Sequence, residues 1–135
     1  MIRRGRFAVS NGKEYEIFTY QHQYYLKSKN PYDLEIGFIR MMNNDAIFIK
    51  QVSAQELDDA YEIFPYAVVG GYRFSVKGYN EMTGTATLVT NNPFVKEKIN
   101  VRPYGKHEYI IEIPHEDIQV MEDRLAILGF DKDYF

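Results

Sequence analysis

Three carboxylates, Asp58, Asp59 and Glu62, fall within the stretch SAQELDDAYEIF (53–64), and no Lys or Arg stands three or four positions from any of them. On a helix, residues four apart are surface neighbours, so Asp58 and Glu62 would share one face with Asp59 beside them. A single-sign face of that kind steers a cationic partner and raises its rate of capture. It can also stand in for phosphate in a basic cleft. Glu116 and Asp117 add to it from the acidic C-terminal region.

Other chemistries find little support in the residues. His22, His107 and His115 are far apart in sequence, and none has a second His at the i, i+4 spacing with which two imidazoles share one ion. His115, Glu116 and Asp117 are adjacent, and adjacent side chains rarely converge on a metal. With no Cys, thiolate nucleophiles, thiolate zinc sites and disulfides are all excluded. No G-x-S-x-G elbow marks a nucleophilic serine, and neither G-x-G-x-x-G nor a Walker pattern occurs; Gly70 and Gly71 sit beside a strand pattern, not before a helix. YRFSVKGY (72–79) has aromatic residues like an RNA-binding strand, but its period-two alternation sends those rings into a core. The short basic start RRGR reads as solvated. No catalytic residue, metal or cofactor is therefore expected, and no nucleic acid partner.

The elements that must hold these residues are mostly strands. Asn11-Gly12 between RFAVS and KEYEIFTY is a strong hairpin signal, because a type I′ turn needs positive φ at both central residues. The strand YYLKS ends at Pro31, and a second hairpin is expected over about residues 34–52, turning at NND. Ser53 and Glu56 have capping-box spacing, which predicts a helix over 53–64 with Leu57, Ala60, Tyr61 and Phe64 on its buried stripe and Pro65 as its end. Beyond it, YAVVGGYRFSVKGY resumes strand character, with Gly70 and Gly71 read as a bulge or sharp bend, or as a place where a ligand meets the backbone. TGTATLVT should pair back across the NEM loop, NNP turns the chain, and EKINVRP-YGK-HEYIIEIP reads as one more hairpin. Residues 115–128 fit both a helix, through Ile118, Met121, Leu125 and Leu128 between Pro114 and Gly129, and a strand, through Ile118 and Val120; a helical turn at 115–117 followed by a strand is favoured. The fold class is thus mainly β (α+β): a curved antiparallel sheet or barrel-like sandwich of about eight strands with one central helix, in a single β-rich domain over 1–135.

Composition agrees with that reading. Hydrophobic residues make up 45 % of the 135 and charged residues 26 %, close to globular averages, so disorder is not expected. The net charge of −3 is uneven: residues 108–135 carry eight carboxylates against Arg124 and Lys132, whereas residues 1–40 lean positive. No apolar run reaches the length of a signal peptide core or a membrane span, which together with the lack of Cys suggests the cytoplasm and no membrane partner.

Taken together, the compact β-rich chain, the acidic surface, the twelve tyrosines and the closing IEIPHEDIQVMEDRLAILGF resemble the small cytoplasmic immunity proteins of bacterial polymorphic toxin systems. The resemblance implies a non-enzymatic protein that binds a cognate toxin, a nuclease being one possibility, with Asp58, Asp59, Glu62, Glu116 and Asp117 meeting a basic partner domain. The alternative is a small-ligand-binding or enzymatic β-barrel whose inward rings line a pocket. A structural subunit that self-associates through exposed tyrosines is a third reading.

Overall fold

The computed structural model describes residues 2–130. They form eleven strands, all of whose assigned pairings run antiparallel, and they divide into two compact units. The first unit comprises Gly5–Ile63 with residues 124–130; the second comprises residues 2–4 with Phe64–Asp123.

The first unit contains β1 (Gly5–Ser10), β2 (Lys13–Tyr20), β3 (Gln23–Ser28), β4 (Ile39–Met41), β5 (Asn44–Val52) and the first half of β6 (Asp59–Val69), hydrogen-bonded in the order β4-β5-β3-β2-β1-β6. The Asn11-Gly12 hairpin forms as its sequence requires, with φ +51° and +78° at the two central residues. The second hairpin also forms, but its first strand is short, because Pro31–Ile36 closes instead into a 3-10 turn capped by the Asn30 side chain. Asp33 in that turn is buried; its carboxylate accepts from the Ser28 hydroxyl at 2.5 Å and from the Tyr15 hydroxyl at 3.4 Å. These bonds satisfy a carboxylate that burial would otherwise penalise heavily.

The expected helix over 53–64 is not there. The Glu56 carboxylate does reach back to the Ser53 N–H at 2.9 Å, but the helical backbone it begins is a single 3-10 turn, Ala54–Glu56. The chain then becomes β6, pairing Phe7 with Tyr61 and Ala8 with Ala60. Ala60, Tyr61, Ile63, Pro65 and Ala67 are all buried, and four of those five repeat every second residue. Local spacing fitted either period over the first few residues; ladder bonds to β1 and then to β7 (Tyr72–Asn80) decide for the strand. Pro65, expected to stop a helix, lies between Ile63, the last residue paired with β1, and Tyr66, the first paired with β7. Leu57 and Tyr61 are buried as expected, whereas Phe64, assigned to the same stripe, is 43 % exposed because strand geometry turns it the other way.

The second unit contains the rest of β6, β7, β8 (Thr85–Thr90), β9 (Arg102–Tyr104) and β10 (Glu108–Pro114) in the order β6-β7-β8-β10-β9. Its core gathers Ala67, Phe74, Val76, Ala86, Leu88 and Val95. Gly70 and Gly71 are not a bulge: they are the two central residues of the β6–β7 hairpin, with φ +58° and +84°. At Gly70 a side chain would also collide with Ile99, whose Cδ1 lies 2.9 Å from where a Cβ would stand. The bulge falls instead in β7, between Val76 and Gly78. The helical turn at His115–Asp117 and the strand after it, β11 (Met121–Ala126), both form as expected, and β11 pairs with β6. The strand count exceeds the expected eight or so chiefly through β6, whose first residues were expected in a helix and whose remainder was read as one run with β7.

Two outcomes follow for stability. Leu57→Ala should lower unfolding free energy by about 2–5 kcal/mol in urea titration, since the side chain is buried in the first unit's core. Burial, and then the neighbouring Asp33 carboxylate, raise the Tyr15 hydroxyl pKa above its usual 10.0. A raised folded-state pKa contributes stability that is complete below pH 10.0 and is lost as pH climbs from there through the folded value. The urea midpoint should therefore fall more steeply with alkali in the native chain than in Tyr15→Phe; parallel curves would contradict this.

Candidate functional site

A cleft of about 740 Å³, in the range that holds small ligands, lies in the second unit. Period-two alternation along β7 builds one wall. Phe74 and Val76 point into the core, so Arg73, Ser75 and Lys77 line the opposite, open side. Register slips at Lys77, where the bulge adds a residue to β7, and such bulges commonly re-aim a side chain. Arg4 enters from the N-terminal segment, Thr90 and Asn92 from the end of β8, Tyr104 from β9 and Glu108 from β10.

Each cation is held differently. Arg73 lies over the Tyr66 ring, 3.6 Å from its centroid, and pairs with Asp123. Lys77 Nζ sits 4.0 Å from the Tyr104 ring centroid, an arrangement that holds a charge in place without neutralising it. Neither Arg4 nor Lys77 forms an ion pair among the described residues. Thr90 Oγ1 accepts from the Asn92 N–H at 3.2 Å, and Asn92 Oδ1 from the Phe94 N–H at 3.0 Å, which fixes the loop at the cleft's edge. Three cations, one carboxylate and several hydroxyl and amide groups make a lining suited to an anionic group.

The acidic residues singled out from the sequence are not brought together as a helix face. Asp59 and Glu62 differ by three positions on β6, so the strand sends them to opposite faces. Glu62 is opposite Arg6 in the register and pairs with it, Nε to Oε1 at 3.6 Å, so the expectation that it lacked a basic partner is corrected. Asp59 Oδ1 accepts from the Ala60 N–H at 2.9 Å; Asp58 is exposed just before β6, its N–H bonded to the Val9 carbonyl at 2.8 Å. Glu116 and Asp117 are exposed in the turn His115–Asp117 of the second unit, whereas the other three belong to the first. Spacing failed here because an i, i+4 relation is a neighbourhood only on a helix. What the sequence reading passed over is the polar half of YRFSVKGY and the last Arg of RRGR's opening pair. The alternating Arg73, Ser75 and Lys77 were the available signal.

Neither the curated proteins nor the solved structures include a match to this chain. A family model does match, over residues 2–129, and its description is "Uncharacterised conserved protein UCP033725". That match spans both units and nearly the whole sequence, and the chain belongs to this family.

Proposed function

We propose that the chain is a binding protein, not a catalyst, and that it takes a phosphate-bearing small molecule in the cleft of its second unit. The observation that carries this reading is the convergence of Arg4 and Lys77, without carboxylate partners among the described residues, beside Arg73 in a chain whose net charge is −3. Isolated cations facing an open cleft of an acidic protein are stabilised by a bound anion more than by solvent alone. Ser75, Thr90 and Asn92 add neutral groups of the kind that orient phosphate oxygens.

Adenosine monophosphate, ribose 5-phosphate and citrate are suitable probes, titrated into the isotope-labelled chain at low ionic strength. Shifts clustered on Ser75, Lys77, Thr90 and Tyr104 are expected with the phosphates. Lys77→Gln should weaken binding about ten- to a hundredfold, since a charged hydrogen bond is worth about 1.5–3 kcal/mol. Absence of a saturable shift with every probe would sink the reading, and a stronger response to citrate would reassign the ligand to carboxylates.

A protein partner is a second reading, favoured by exposed apolar side chains near β4 in the first unit: Tyr32, Ile36, Ile39 and Met42, the last 97 % exposed. The toxin domain expected from the sequence belongs to this reading, with Asp58 and Asp59 as its acidic contribution. If it holds, Ile39→Asp should abolish capture of a cognate partner in surface-binding measurements while Lys77→Gln leaves capture unchanged.

A further inference from the structure

We infer that a second cleft, under the β2–β3 turn of the first unit, binds the vicinal hydroxyls of a neutral saccharide. Its volume is about 520 Å³, and its lining includes His22, Gln23, Tyr24, Gln51, Gln55 and Glu56.

The turn itself is the first observation. Four hairpins in this molecule close through two residues; at Met42-Asn43, between β4 and β5, neither central residue has positive φ, whereas in the other three both do. Two of the turns use Asn11-Gly12 and Gly70-Gly71, the types that adopt this backbone with least strain. The third uses Gln21 and His22, at φ +50° and +63°, where a Cβ crowds the following carbonyl. Stability alone favours the Asn-Gly solution that the same chain uses a few residues earlier. Strained backbone kept at the rim of a cleft points to side chains that serve the cleft.

The lining is the second observation. Gln51 Nε2 donates to Gln23 Oε1 at 3.0 Å, which leaves the Gln51 carbonyl oxygen as an acceptor and the Gln23 amide nitrogen as a donor. Turning both amides over gives the same outcome, one acceptor and one donor. Two adjacent sugar hydroxyls, each able to donate and accept, match that pair. Gln55 carries another amide, and the Glu56 carboxylate, which already accepts from the Ser53 N–H, has a second oxygen for a hydroxyl donor. The half-buried Tyr24 supplies an aromatic group of the kind that packs on the apolar side of a sugar ring. No Lys or Arg lines this cleft, so its chemistry is that of a neutral ligand and differs from the cationic cleft of the second unit.

The test uses the full chain labelled with nitrogen-15, titrated with glucose, galactose, mannose, N-acetylglucosamine, maltose and sucrose. At least one sugar should produce saturable shifts of the Gln23 and Gln51 side-chain amides. Gln51→Leu should weaken that binding at least tenfold with unchanged circular dichroism. Exchanging the turn, Gln21→Asn with His22→Gly, should raise the urea midpoint yet weaken the same binding at least tenfold. The inference is overturned if no sugar in the panel gives a saturable shift at these amides. It is also overturned if the exchanged turn stabilises the chain and leaves sugar affinity as it was.

Discussion

Phe7 lies opposite Tyr61 and Ala8 opposite Ala60, and all four residues are buried, so the pair β1–β6 is packed on both of its faces. Burial of both Ala60 and Tyr61 breaks the alternation at the start of β6, and from Tyr61 onward the strand buries every second residue with Glu62 and Phe64 on its other side. The remaining geometry of the first unit follows from this register. It sets Glu62 against Arg6, and it brings the Tyr61 hydroxyl to the Glu14 carboxylate with Arg124 over the Tyr61 ring. A slip of one residue would send Tyr61 and Ile63 to the other face and leave their core positions to Glu62, which burial of a carboxylate forbids.

In the second unit the governing pattern is simpler, because β7 is packed on one face only. The alternation that buries Phe74 and Val76 necessarily presents Arg73, Ser75 and Lys77 together, and the bulge after Val76 adjusts the last of them. Core and cleft are therefore two sides of one strand. Ion pairs such as Arg3–Glu122 and Arg102–Glu112 lie at the surface and contribute little to stability, about 0–1 kcal/mol each by general experience. Their larger effect is to take up acidic and basic groups nearby, so that Arg4 and Lys77 stand out in an acidic chain.

What the sequence determined by itself is the set of features that depend on a few neighbouring residues. The mainly β character, the Asn11-Gly12 hairpin, the burial of Phe74 and the backward reach of Glu56 to Ser53 were legible, since turn backbone and capping bonds are local chemistry; of the other rings in YRFSVKGY, Tyr72 is half-buried and Tyr79 is exposed. What only the tertiary structure decided is the state of residues 59–69. Leu57, Ala60, Tyr61 and Phe64 satisfy helical spacing, but Ile63 does not, and its complete burial marks the competing period of two. Hydrogen bonds to β1 and β7, separated from β6 by about fifty residues in one direction, outweigh a capping box that stabilises a single turn. The candidate clefts were invisible for the same reason: Arg4, Lys77, Thr90 and Tyr104, or His22, Gln51 and Gln55, become neighbours only when strands far apart in sequence are hydrogen-bonded side by side.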